Sequence, residues 1–498
     1  MQEVHVLIAG GGLSGISAAA HLLEAGERDL VVLEKEAELG GVWRDNTYPG
    51  CACDIPSHVY SFPFAPSRDW SRTYGERSEI QNYILRVAEE RGVRDLVRFN
   101  AEVLEATWHE DEHRWIVRTA DSVYAARILV IAVGGALAEP AIPDLPGLEQ
   151  FEGTVFHSAR WRNDHDLTGQ RVAVVGTGAS AIQFVPKIQP LVSHLTLLQR
   201  TPGWVLPKND RAVSGVQKAL LRLPGGLRLR RATLFASAEL IRFGFKHPRL
   251  LQPLETAARK HLSRSVPSPE LRAKLTPSYK VGCKRLLFSS DYYDALTKDN
   301  VDVVPAVSDV RRSSVVAADG SEHPVDTIIF ATGFQGWEAP ITRRVTGRWN
   351  QTIAEVWAGR PKAFNATSIA GFPNAFYFFG PNSALASAFM MADAQGRYLV
   401  EAVKAMRRKG LTMIDVRETA QDNWKRATDK QLSTQIWTAG GCTSFYLDVD
   451  GKNSALWPAS MTSMRRELSR FPLQAYETAV LPNSRRADKG SGSASTTA

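Results

Sequence analysis

The sequence predicts an α/β fold with two doubly wound nucleotide-binding units and an inserted helical subdomain, and three observations carry that prediction. The continuous apolar run VHVLIA at residues 4–9 leads into a glycine-rich turn, Gly10-x-Gly12-x-x-Gly15. The run RVAVV at residues 171–175 leads into a second turn of the same kind, Gly176-x-Gly178-x-x-Ala181. Between them and the C-terminal part, positions 208 to 285 turn helical and basic, with 18 Lys/Arg against 4 Asp/Glu. One such turn is weak evidence, but two of them a domain apart are strong. A chain of 498 residues is also too long for a single core.

The elements follow in order. Residues 4–9 read as a buried parallel strand, and the glycines after it open a helix through His21-Leu22-Leu23. LVVLEK is the next strand and ends on Glu34, where such a unit places an acid on a ribose hydroxyl. Gly40-Gly41-Val42-Trp43 and Tyr48-Pro49-Gly50 then form a loop of special backbone angles at the carboxyl end of the strands, where ligands sit. Residues 77–92 look helical, and residues 102–132 read as short alternating strands. The Pro-rich AEPAIPDLPG is an interdomain linker, which puts the first part of the first domain at 1–145 and that of the second at 146–208.

The strand LTLLQR of the second unit ends at Arg200, where the first unit has Glu34. An acid suits a free ribose 2′-hydroxyl and a guanidinium suits a 2′-phosphate, so the two Rossmann-like units are read as sites for FAD and NADPH respectively. Residues 209–280 are the helical insertion, read as a lid, and 281–330 return to the second domain. Ala331-Thr332-Gly333 is a small-residue turn where backbone can approach a cofactor, and 331–482 close the first domain. Residues 483–498 have the composition of a disordered tail.

Composition limits the remaining readings. At 44% hydrophobic and 22% charged the chain is globular, and no apolar run reaches the roughly 18 residues of a membrane span. The first strand begins without a basic leader, so a cytoplasmic enzyme is expected. The net charge of +8 sits largely in the helical insertion, where it is read as the solvated face of a lid rather than as a peripheral membrane contact. It comes with no nucleic-acid-binding motif, so no nucleic-acid partner is expected. Cys51, Cys53, Cys283 and Cys442 are too few and scattered for a disulfide framework or a metal site, and packed free thiols are expected.

Two dinucleotide sites in one chain imply hydride transfer from nicotinamide to flavin. Beyond that, the sequence resembles the class B flavoprotein monooxygenases, and among them the type I Baeyer-Villiger monooxygenases. Phe151, Gly153, His157 and Trp161 match one motif of that family, and the residues from Gly40 to Asp54, with Gly41, Trp43, Tyr48, Pro49 and Gly50 between, match every fixed position of another. The resemblance implies that NADPH reduces FAD, that O2 adds to the flavin as a C(4a)-peroxide, and that this attacks a ketone to give an ester or lactone. It gives Arg285 the role of the active-site cation, Asp54 that of the acid positioning it, and Lys284, with Arg200, a contact to the 2′-phosphate. His157 is read as structural or hinge-forming, and Trp437 either as core or as part of a loop over the substrate. Arg162 stands where the family has Pro or Asp, which keeps S- or N-oxygenation open as an alternative. A flavin disulfide reductase and a non-catalytic nucleotide-binding protein are the readings from other classes.

Overall fold

The computed structural model describes residues 1–135, 139–384 and 387–482. The tail predicted to be disordered lies outside them. The first unit begins with β1 (Gln2–Ala9), α1 (Leu13–Glu24) and β2 (Leu30–Leu33). β1 runs parallel to β2, with Ala9 opposite Leu33, and pairs with β6 on its other side; its last four residues are buried. After the short helix α2 (Val42–Asp45) and the longer α3 (Arg77–Glu90) come β3 (Val97–Arg98), β4 (Glu105–His109), β5 (Arg114–Arg118) and β6 (Val123–Ile131). β4, β5 and β6 form an antiparallel meander, and β6 then pairs parallel with β1. The helix and the short strands read from residues 77–92 and 102–132 are therefore present.

The second sheet takes β7 (Thr154–His157), β8 (Arg171–Val175) and β9 (His194–Gln199), with α4 (Ala181–Ile188) between the last two. A two-stranded ribbon, β10 (Val205–Leu206) with β11 (Leu287–Phe288), brackets four helices: α5 (Gly215–Arg222), α6 (Gly226–Lys246), α7 (Gln252–Ser265) and α8 (Pro269–Lys274). After α9 (Tyr292–Leu296) and β12 (Val301–Pro305) the chain makes a three-stranded antiparallel meander, β13 (Val307–Arg311), β14 (Ser314–Ala317) and β15 (Glu322–Pro324), and then enters β16 (Thr327–Phe330). The second sheet has the order β12-β9-β8-β16-β7 and is parallel throughout. Its central strands RVAVV and TIIF are buried at every position but Arg171, as a parallel sheet covered on both faces requires.

From β16 the chain returns to the first sheet through β17 (Val345–Thr346) beside β4 and β18 (Ala375–Tyr377) beside β6. The long helix Ala388–Lys409 packs on α1, where His21 meets the carboxylate of Asp393 at 3.1 Å. Both glycine-rich turns thus emerge at the carboxyl ends of β1 and β8, each in the middle of its sheet. This is where doubly wound sheets bind ligands. Among the described residues, no helix is long and apolar enough to cross a membrane, and no group of His, Cys, Asp or Glu could hold a metal.

Candidate active site

The two glycine-rich turns share one backbone device. Gly10 and Gly176 both have φ 108°, outside the range of other residues. A Cβ on Gly10 would lie 2.5 Å from the carbonyl oxygen of Ala132, and one on Gly176 would lie 2.7 Å from that of Ala331. Each turn is therefore pressed against a strand end of its own sheet. Gly15 in α1 is equally constrained, since its Cβ would fall 1.9 Å from the carbonyl oxygen of Gly10. Ala181 is the buried first residue of α4.

Between the first turn and the Gly40-Gly41 loop opens a cavity lined by Gly10, Gly12, Ser14, Glu34, Gly41 and Arg44, among others. The two glycines face each other closely there, since a Cβ on Gly12 would sit 3.6 Å from Cα of Gly41 and one on Gly41 would sit 3.2 Å from Cα of Gly12. The start of α1 forms part of the wall, so unpaired N–H groups face the space and suit a pyrophosphate. These features fit the phosphate and ribose end of FAD. Glu34 lines the cavity while its carboxylate accepts from the amide of Gly11 at 2.7 Å and from Arg44 at 3.0 Å. Burial opposes the charge on Arg44, but Asp45 and Glu34 more than offset it, and the guanidinium is held protonated beyond its ordinary range. Arg44 was not singled out from the sequence; a basic residue three positions after a Gly-Gly pair carries no signal by itself. Trp43 lies one layer back, donating its indole N–H to the Tyr60 hydroxyl at 3.1 Å, and Tyr60 forms the wall.

In the second unit, Arg200 follows directly on β9 and is exposed. Lys284 extends over the Tyr279 ring, its ammonium 5.1 Å from the centroid. Burial and then the charge of Arg200 push the Lys284 ammonium below its ordinary pKa. Two cations therefore converge, and neither has a carboxylate partner among the described residues. That arrangement suits a dianionic phosphate between them. Thr332 lies in the small-residue turn where backbone approach was expected. Its hydroxyl donates to the carbonyl of Ala141 on the Pro-rich connection, so the turn presents backbone rather than a free hydroxyl.

Arg285 and Asp54, 231 positions apart in sequence, form a two-pronged pair. Nη2 donates to the two carboxylate oxygens at 2.9 and 2.7 Å, and Nε donates to one of them at 3.1 Å. The Arg285 side chain is 46% exposed, while that of Asp54 is only 19% exposed. The Asp54 carboxylate holds the guanidinium protonated well above its ordinary range, against the opposing effect of burial. The phenols of Tyr446 and Tyr60 both feel the charges of this pair and are raised, in each case chiefly by burial.

The loop that carries Lys284 and Arg285 is anchored by a disulfide between Cys283 and Cys442. This corrects the expectation of four free thiols. The two cysteines are 159 positions apart with no spacing to mark them, and only the fold brings the loops together. Cys51 and Cys53 are free and buried, as expected. Burial pushes the Cys51 thiol up to about 11 and that of Cys53 further.

The residues of the other motif pack rather than react. Phe151 lies against Gly153, whose Cβ would fall 2.6 Å from the ring. The His157 Nδ1 accepts from the amide of Ala159 at 3.1 Å, and burial lowers its pKa to about 4, so the ring is neutral. His157 pairs with Phe330 at the strand end from which the chain leaves the second sheet. Trp161 packs on Phe156 and Phe184, each at 5.2 Å, and Phe184 in turn meets Tyr48 of the first unit's loop at 6.0 Å. Arg162 points to solvent and pairs with Asp164 at 2.7 Å. Trp437 is a core residue, stacked near Phe245 at 4.8 Å and covered by the guanidinium of Arg242.

Comparison with known proteins places this geometry. Residues 3–216 match the family model "Flavin-binding monooxygenase-like". A Baeyer-Villiger monooxygenase of Streptomyces coelicolor is 46% identical over 482 residues, covering 96% of this chain and 93% of the relative. One from Pseudomonas aeruginosa is 40% identical, covering 96% and 92%. Among solved structures, cyclohexanone monooxygenase from Rhodococcus sp. Phi1 bound to NADP+ superposes with a TM-score of 0.84 at 27% identity, over 96% of this chain and 99% of that one. With two parallel sheets, two glycine-rich turns and full-length relatives of this kind, the chain belongs to the Baeyer-Villiger monooxygenases of the flavin-binding monooxygenase family.

Proposed function

We propose that this protein is an NADPH- and O2-dependent flavoprotein that inserts one oxygen atom beside a ketone carbonyl to give an ester or lactone. NADPH, a proton, O2 and the ketone are consumed, and NADP+, water and the ester are formed. FAD supplies the electron transfer from NADPH and the activation of oxygen. In this reading Gly10, Gly12, Gly15, Glu34 and Gly41 hold FAD in the first unit, with Trp43 supporting the wall. Gly176, Gly178, Ala181, Arg200, Lys284 and the Thr332 turn hold NADPH in the second, and residues 209–280 cover the site.

The observation that carries the reading is the two-pronged Arg285–Asp54 pair next to Lys284 on the same loop. Oxygen insertion builds negative charge on the substrate carbonyl oxygen, and a preorganised cation in a water-poor site stabilises it without reorganising. Arg285 keeps its proton throughout, and Asp54 fixes the direction in which the guanidinium points. His157, neutral and engaged with backbone, packs beside the crossing between the sheets and transfers no proton.

S- or N-oxygenation rested on Arg162, which is exposed, paired with Asp164 and remote from Arg285 in role and setting. Arg162→Ala is expected to leave the ratio of ketone to sulfide oxygenation unchanged within about twofold, as surface pairs of this kind contribute little. A shift toward sulfoxide in product analysis would restore that alternative. A disulfide reductase needs a thiolate at the flavin, and Cys51 and Cys53 are buried thiols with raised pKa. Mass analysis of products from a panel of ketones and sulfides tests the main reading, and sulfoxides without any ester from a broad ketone set would overturn it. For the cofactor site, Gly12→Val is expected to give folded protein that purifies without flavin, because two branched carbons would enter the gap to Gly41. Flavin absorbance at the wild-type ratio in that variant would refute the assignment.

A further inference from the structure

The helical segment from 214 to 251 carries a surface that oxygenation does not use. One face of α6 docks on the body of the protein. Arg231 donates to the Ser61 hydroxyl and the His58 carbonyl, Arg242 donates to the carbonyls of Trp457 and Ala459, and Phe245 packs on Trp437. These inward residues recur at helical spacing, which turns Leu229, Leu240 and Phe243 outward. They are 68%, 72% and 53% exposed, and Leu220 and Leu223 at the end of the neighbouring α5 are exposed as well, at 55% and 56%. The same segment carries Arg228, Arg230, Lys246 and Arg249, all exposed and without a carboxylate partner among the described residues. The segment's one acidic residue, Glu239, is taken up by Thr462.

We infer that this face docks on the surface of an anionic phospholipid bilayer, with the outward leucines and Phe243 entering the acyl boundary and the unpaired cations meeting headgroup phosphates. Several exposed large apolar side chains on one helix face mark an interaction surface. Flanking Lys and Arg, whose stems lie along apolar surface while their heads reach anions, are the pattern of an interfacial helix. A second copy of the chain fits the face poorly, because a two-fold contact would set the same uncompensated cations against each other. A nucleic acid would satisfy the cations and leave the leucines in water. The same helix touches the active-site loop from within, since a Cβ on Gly282 would lie 2.8 Å from the Phe245 ring. The surface that the sequence reading assigned to solvent is thus the outer side of the site's cover.

Sedimentation of the full-length holoenzyme with vesicles tests the proposal. Vesicles of phosphatidylcholine containing about 30% phosphatidylglycerol are expected to pellet the protein, phosphatidylcholine alone to do so far more weakly, and added salt to release it. Leu240→Asp with Phe243→Asp, and separately Arg228→Glu with Arg230→Glu, should each reduce partitioning about tenfold or more. NADPH oxidation in solution should be unchanged in both. Wild-type protein that stays in the supernatant with anionic vesicles, or pelleting that neither pair of substitutions alters, overturns the proposal. So does a dimer seen by sedimentation velocity that the Leu240 and Phe243 substitutions dissolve while no vesicle binding occurs, which would assign the face to a second copy.

Discussion

Replacing Arg285 by alanine is expected to lower ester formation by about 10³-fold while NADPH oxidation continues, the reducing equivalents leaving as hydrogen peroxide. The division between the two activities follows from where the charge sits. Hydride transfer from nicotinamide needs the two nucleotide units and no cation at this position. Oxygen insertion needs a positive charge that is present before the reaction and does not have to be assembled during it. Arg285 meets that need because the Asp54 carboxylate keeps it protonated and holds it in a fork of three short contacts. Arg285→Lys keeps a charge but loses the planar fork and should fall between wild type and alanine. Asp54→Ala leaves the cation in place but unguided, so the expected loss is smaller, about 10- to 100-fold, with more of the NADPH flux going to peroxide. Ester, NADPH and hydrogen peroxide measured together in each variant check the order. Ester formation by Arg285→Ala within tenfold of wild type would remove Arg285 from the chemistry.

Much of this could be read from the sequence, and the reason differs from residue to residue. The turns at Gly10 and Gly176 were legible because a strand, a positive φ and a helix start must follow one another locally, and glycine is the residue that permits it. The contrast between Glu34 and Arg200 was legible for the same reason, since both end the second strand of their unit. Arg285 and Asp54 came only through resemblance, because nothing in the local pattern of either residue says that they meet across 231 positions. The Cys283–Cys442 disulfide and Tyr446 stayed hidden on the same ground. Arg162 shows the opposite failure. Its departure from the family pattern is visible in sequence, but its exposure and its pair with Asp164 are not, and these make the departure inert. The outward apolar residues of α6 needed the docked face first; until Arg231 and Arg242 are seen to turn inward, the segment reads only as basic and helical.

Removing Arg200 and Lys284 together is expected to raise KM for NADPH by about 10²- to 10⁴-fold and to leave KM for NADH nearly unchanged, since each charge-assisted contact to a phosphate is worth about 1.5–3 kcal/mol. In the free protein the Lys284 pKa is lowered first by burial and then by repulsion from Arg200. A bound dianionic phosphate reverses that interaction and draws the ammonium back toward its protonated form. Affinity for NADPH should therefore weaken as pH rises through the Lys284 pKa, at a point below the ordinary lysine value of 10.5. Lys284→Ala should abolish that alkaline dependence at a cost in KM. Arg200→Ala should keep it but move it to higher pH, because the neighbouring charge that depresses Lys284 is gone. Burial, the first cause of the depression, remains, so the move is partial. Initial rates with both dinucleotides across neutral and alkaline pH separate these outcomes. An unchanged NADPH-to-NADH preference in the double variant would show that the 2′-phosphate lies elsewhere.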